Sequence, residues 1–129
     1  MNKKVIKTNK APGAIGPYSV AIQTDTMVFT SGQIGLNPAS GELVDGGIEG
    51  QTRQVLTNLK NVLEASGSAL EYVVKTIVFL KDMGDFTKMN AIYGEFFHQD
   101  QPARSTVAVA GLPKGALVEI EVIALVKPD

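Results

Sequence analysis

The longest apolar run in the chain, Leu117 to Val126, carries two carboxylates inside it, Glu119 and Glu121. A run of this kind predicts a buried strand, and side chains alternate along a strand. Glu119 and Glu121 therefore share one face, with alpha carbons about 7 Å apart, while Ile120, Val122 and Ala124 take the other. Two carboxylates in such a strand are costly unless they are paired, hydrated at an interface or open to solvent. The fold must accordingly place a sheet with one fully apolar face and one face that tolerates charge. Their spacing also falls in the range of inverting glycosidases. There is no Trp to form a sugar platform, however, and the two groups do not face each other.

The remaining elements follow from periodicity and turn chemistry. Val73 to Leu80 is β-branched and nearly continuous, which predicts a central strand. Met27 to Thr30 predicts a strand that pairs with Val20–Gln23 as a hairpin, and Thr106 to Ala110 predicts a short one. Ile48, Thr52, Val55, Leu56, Leu59, Val62 and Leu63 recur at helical steps, giving a helix of about 16–18 residues with Gly67 as its stop. A second helix starts at about Asp85, with Phe86, Met89, Tyr93, Phe96 and Phe97 as an apolar stripe read as core packing. Interspersed strands and helices in the order β-β-α-β-α-β-β predict an α+β fold, a mixed sheet with both helices on one face. The uncovered face is rich in Ala, Val and Thr, so oligomerisation is expected. No repeat or low-complexity tract divides residues 1–129, which read as a single domain.

Composition narrows the chemistry. Twelve Lys+Arg against 13 Asp+Glu leave a net charge of -1, with no electrostatic footprint for nucleic acid or an anionic membrane. No stretch has the length of a membrane span or a signal peptide, so a cytoplasmic protein is expected. Without Cys and with one histidine, His98, thiol chemistry and multi-histidine metal sites within one chain are excluded. His98 reads as a cation at the end of the second helix. The glycines form neither GxGxxG nor a phosphate-binding loop, and no Gly-x-Ser-x-Gly elbow supports a hydrolase triad.

Three segments stand out as candidates. In Pro102-Ala103-Arg104-Ser105-Thr106, Arg104 enters a strand on the same face as Thr106 and suits bidentate binding of a carboxylate or phosphate; the alternative is a salt bridge to Glu119 or Glu121. Ser31-Gly32 at a strand end offers either backbone N–H groups to an anion or a β-bulge in which Gly permits an unusual backbone angle. Gly16-Pro17-Tyr18 is a stiff turn presenting the Tyr18 hydroxyl.

Taken together, Ala14 to Ser19, Ser31 to Ile34, Gln51-Thr52 with Asn58-Leu59-Lys60, Val73 to Thr76, Asn90 with Tyr93, Pro102 to Ser105, and Leu112 to Gly115 with Glu119-Ile120-Glu121 resemble the Rid family. It is also called the YjgF/YER057c/UK114 family, and the type resembled is the reactive-intermediate deaminase, RidA. The resemblance covers roughly residues 5–127. It implies a chorismate-mutase-like fold assembled as a homotrimer with ligand clefts between subunits. It also implies cofactor-independent hydrolysis of 2-imino acids and their enamine tautomers, such as 2-aminoacrylate and 2-iminobutanoate, to 2-oxo acids and ammonia. By resemblance Arg104 holds the substrate carboxylate, and Glu119 places the attacking water. Tyr18, Ser31, Gly32, Asn90 and Thr106 line the site, with no metal. Many members carry Cys where this chain has Thr106, so thiol-based properties of relatives do not transfer. The alternative the resemblance leaves open is a non-catalytic, 2-oxo acid-sensing or regulatory trimer, acting in translation or purine control.

Overall fold

The computed structural model describes residues 2–128, so the two ends of the 1–129 span, Met1 and Asp129, lie outside the described residues. Seven strands and two helices follow in the order β1 (Lys4–Ile6), β2 (Ala21–Gln23), β3 (Met27–Thr30), β4 (Gln33–Ile34), α1 (Gly47–Ala65), β5 (Val73–Leu80), α2 (Phe86–Phe96), β6 (Ala103–Ala108) and β7 (Val118–Leu125). They form one sheet of order β1-β2-β3-β7-β5-β6, with β4 pairing to β7 beyond β3. Only β5 and β6 run parallel; the other pairs are antiparallel. The α+β expectation and the β2–β3 hairpin hold.

Alternation decides which side is core. Val118, Ile120, Val122 and Ala124 of β7 are buried beside Val28, Val78 and Leu80. Against this face α1 lays Val55, Leu56, Leu59, Val62 and Leu63, all with no exposed surface, and α2 adds Met89, Tyr93 and the following Phe97. Both helices cover that one face. On the other face Val5, Phe29 and Val107, on β1, β3 and β6, are 46%, 42% and 44% exposed, and neither helix covers them.

Two departures from expectation have local causes. Strand β6 starts at Ala103, three residues earlier than its β-propensity suggests, because parallel pairing with β5 (Lys75 opposite Ala103 through Leu80 opposite Ala108) extends it. Helix α2 ends at Phe96, and no basic residue lies in its last turn, so His98 sits two residues beyond the helix rather than on its terminal turn. The Gly67 stop is as expected and has a defined form. Gly67 takes φ +72°, its N–H reaches the Glu64 carbonyl, and Ser68 N–H reaches that of Leu63 at 2.9 Å, a Schellman motif.

A buried polar bracket ties α1 to the loop after β4. Fully buried Asn58 donates from Nδ2 to the carbonyls of Leu36 (3.0 Å) and Ile34 (3.4 Å), and accepts from Gln54 Nε2 at 2.8 Å. Gln51 Oε1 accepts from Leu117 N–H at 2.8 Å, at the entrance to β7. Removing a partner from a buried polar group leaves its desolvation cost in full. Asn58→Ala is therefore expected to lower unfolding free energy by about 1–3 kcal/mol, read as a shift of the urea midpoint; an unchanged midpoint would contradict the bracket's role.

Candidate active site

The approach from β3 to β4 is a bulge. Phe29 pairs with Ile123 and Gln33 with Ile120, so Thr30, Ser31 and Gly32 face only Val122 and Glu121. The Thr30 hydroxyl bridges the gap in the ladder: it accepts from Val122 N–H at 3.0 Å and donates to the Val122 carbonyl at 3.4 Å. Ser31 fastens the bulge to the Tyr18 turn, giving its N–H to the Val20 carbonyl (2.9 Å) and its hydroxyl to the Ser19 carbonyl (2.6 Å). Both Ser31 donors are thus engaged inside the chain. The bulge reading of Ser31-Gly32 is correct, but its reason is not backbone angle, since Gly32 is not among the positive-φ glycines. Gly32 is there for space: a Cβ would lie 2.6 Å from Glu119 Cδ and 2.9 Å from Oε2.

Glu119 leans over Gly32 into a cleft walled by Tyr18, Ile15, Gln33 and Pro113. The Tyr18 ring is half-exposed, and its hydroxyl accepts from Ile15 N–H at 3.3 Å. The cleft offers about 40 Å³, room for a water molecule and little more. Burial, and after it the charge of Glu121, pushes the Glu119 carboxyl above its ordinary value. A carboxyl so placed trades a proton more readily near neutral pH than an exposed one.

A second group of candidates lies on the other side of the sheet. Arg104 is opposite Thr76, and Thr76 opposite Val122, so all three point to the helix face. Glu119 is opposite Phe79, and Phe79 opposite Val107, on the uncovered face. Within one protomer the sheet separates Arg104 from Glu119 and Glu121, which rules out the salt bridge that their nearness in sequence pattern allows. Arg104 instead lies over aromatic rings, its Cζ 4.7 Å from the centroid of Tyr93 and 5.6 Å from that of Phe86. Among the described residues it has no carboxylate partner. Asn90 shares the α2 stripe with Phe86 and Tyr93, and Thr106 follows Arg104 by two along β6. Asn90 Oδ1 and Thr106 Oγ1 are both buried without a hydrogen-bond partner.

The other arginine is occupied. Arg53 makes a two-pronged contact with Glu95 (2.8 and 3.3 Å), clipping α1 to α2 at the surface; Arg53 in turn holds the Glu95 carboxyl below its ordinary value. The seven candidate site residues thus fall into two sets: Tyr18, Gly32 and Glu119 around the cleft with Ser31 behind it, and Arg104, Asn90 and Thr106 on the helix face. Tyr93 and Thr76 make polar contacts inside the core, hydroxyl to hydroxyl at 2.8 Å, which apolar periodicity does not distinguish from packing. Among the described residues no cluster of His, Asp or Glu could hold a metal ion, and no helix is long and apolar enough to cross a membrane.

Two outcomes test this geometry. Glu119 titrates higher in the folded chain than the ordinary value of 4.5. Between the two values the folded state holds more protons, so stability falls as pH rises through the folded value. Glu119→Gln should therefore melt higher than the parent at neutral pH, with the gap closing below the ordinary carboxyl range; a lower melting point at neutral pH would contradict the burial cost. Gly32→Ala should destabilise by about 1–3 kcal/mol, and most of that loss should vanish in the Gly32→Ala/Glu119→Ala double variant. An additive double variant would place the clash elsewhere.

Comparison with known proteins agrees with this arrangement of elements. The family model described as Endoribonuclease L-PSP matches residues 8–126. A RutC family protein of Pyrococcus horikoshii is 53% identical over 122 residues, covering 95% of this chain and 97% of the relative. The mouse protein named 2-iminobutanoate/2-iminopropanoate deaminase is 51% identical over 126 residues, covering 98% and 92%. Among solved structures, Escherichia coli TdcF with bound serine superposes with a TM-score of 0.89 at 43% identity, covering 95% of this chain and 98% of that one. The α+β sheet with two helices on one face is the chorismate-mutase-like fold, and the chain belongs to the endoribonuclease L-PSP family, the Rid family that its motifs resemble.

Proposed function

We propose that this protein hydrolyses small 2-imino acids and their enamine tautomers to 2-oxo acids and ammonia, in clefts that two subunits of a homotrimer build together. The observation that carries the reading is the separation of the two active groups. An unpaired guanidinium lies on one face of the sheet, and a carboxyl beside a water-sized cleft lies on the other. Arg104 of one protomer then meets Glu119 and Tyr18 of its neighbour. Exposed Val5, Phe29 and Val107 on the uncovered face supply apolar surface for that assembly, and relatives at about half identity carry the deaminase name.

The chemistry needs little else. Arg104 takes the substrate carboxylate in a bidentate contact, fixing the planar imino acid relative to the cleft. Asn90 and Thr106 stand on the same face of the protomer as Arg104 and line that side of the site. The imine, protonated on nitrogen, is attacked at carbon by a water that Glu119 holds. The C–O bond forms as the C=N π pair moves to nitrogen, and Glu119 accepts the water's proton. Returned to nitrogen, that proton makes ammonia the leaving group; as the C–N bond breaks, the O–H pair closes the C=O bond and Glu119 takes the hydroxyl proton. One carboxyl of raised pKa thus serves as base and then as acid. No redox change occurs, so no cofactor is needed. Such imines arise where pyridoxal-phosphate dehydratases release their products, and the protein acts beside them in the cytoplasm.

The test couples the purified protein to threonine dehydratase while semicarbazide traps the free imine. The protein should accelerate 2-oxobutanoate formation, Arg104→Ala should abolish the acceleration, and Glu119→Gln should cut turnover by about 10²–10⁴-fold while 2-oxobutanoate still binds. A folded wild type that binds 2-oxobutanoate but gives no acceleration would replace the enzyme with a 2-oxo acid sensor.

A further inference from the structure

An arginine that must bind a ligand's carboxylate poses a positioning problem. A neighbouring carboxylate would order the side chain but would also occupy the donors that the ligand needs. The helix face solves this without a charge. Thr76 is the register partner of Arg104 across β5–β6, and its hydroxyl lies 2.8 Å from the Tyr93 hydroxyl, both side chains buried. Phe97 packs on Tyr93 with centroids 4.7 Å apart. The phenol ring is therefore fixed at its far end by a hydrogen bond and at its side by another ring. Arg104 Cζ sits 4.7 Å from the centre of that ring. Burial raises the Tyr93 hydroxyl's pKa, and the Thr76 hydrogen bond and the Arg104 charge and hydrogen bond oppose it, so the guanidinium is tied to this ring while no carboxylate among the described residues takes its other N–H donors.

We propose that Tyr93, locked by Thr76, is a positioning residue that presents Arg104 to the substrate carboxylate and acts on ligand affinity rather than on the chemical step. The inference rests on the reading of Arg104 as the carboxylate clamp. It separates Tyr93 from Met89, its neighbour on the same buried stripe, which packs and does nothing more. It also gives Thr76 a task that a β-branched apolar residue of the same shape could not perform.

The experiment measures kcat and KM in the dehydratase-coupled assay, and 2-oxobutanoate binding by calorimetry, on the full-length protein. Tyr93→Leu removes the ring, Tyr93→Phe keeps the ring and loses the lock, Thr76→Val loses the lock alone, and Phe86→Leu removes the outer ring without opening the core. Tyr93→Leu is expected to weaken 2-oxobutanoate binding and raise KM together by about 3- to 30-fold, with kcat within threefold of the parent. Tyr93→Phe should recover most of that loss, and Thr76→Val should match Tyr93→Phe. A folded Tyr93→Leu with unchanged binding, or with kcat lowered at constant KM, would overturn the proposal. If Tyr93→Leu does not fold, Phe86→Leu carries the ring test and is expected to weaken 2-oxobutanoate binding by about 2- to 5-fold; unchanged binding in it would overturn the proposal. Arg104→Ala is the control that separates the two levels: if it binds 2-oxobutanoate as tightly as the parent, the clamp reading itself fails.

Discussion

Everything about this site depends on the two-residue alternation of side chains along a strand. Once Val118, Ile120, Val122 and Ala124 commit to the helices, Glu119 and Glu121 must take the opposite side. Once Thr76 commits to the core, its register partner Arg104 must follow it. A packed sheet is opaque to contact between its faces. The cation and the carboxyl that the proposed chemistry needs together are kept apart in each protomer by the same burial that stabilises it. The separation follows from core packing, and under the proposed function it makes assembly a condition of activity.

The rest of the molecule holds these two groups in place by different means. On the uncovered side, a bulge lets Thr30 stand in for a missing ladder bond, and a residue without a side chain at position 32 gives the Glu119 carboxyl its room. Asn58 and Gln51 reach across from α1 to fix the chain after the bulge and the start of β7. On the helix side the support is aromatic. The contrast suits the two proposed roles: the Glu119 carboxyl sits in a tight, partly desolvated cleft, and the Arg104 guanidinium lies against aromatic rings with no carboxylate partner among the described residues.

Much of this was legible in the sequence where burial imposes a pattern. Val73–Leu80 appears as a strand with the same ends in both, and α1 and its Gly67 stop follow from helical spacing and the left-handed preference of glycine. What could not be read was set by partners distant in sequence. The strands Lys4–Ile6 and Gln33–Ile34 are too short or too polar to declare themselves and exist because β2 and β7 offer edges. Strand composition alone starts β6 at Thr106, because Ala103 and Arg104 have little strand preference of their own, whereas the Pro-Ala-Arg-Ser segment puts Arg104 at the strand's entrance, one residue from the observed start. The scarcity of arginine did point to Arg104, since Arg53 falls on a helix surface and is consumed by Glu95. That Gly32 answers to the Glu119 side chain, and Tyr93 to Arg104, belongs to tertiary contact alone.

The central claim is that one protomer's Arg104 works with another's Glu119, and subunit mixing tests it most directly. Arg104→Ala and Glu119→Gln proteins are each inactive by this account, and no subunit in a mixture of the two carries both intact groups. Unfolded together in equal amounts and refolded, with subunit exchange verified by native mass spectrometry, they should regain imine hydrolysis at about a quarter of the wild-type sites, the share that random assortment around a cyclic assembly makes whole. Mixed assemblies that form and remain inactive would contradict it, and would return the two residues to a single chain.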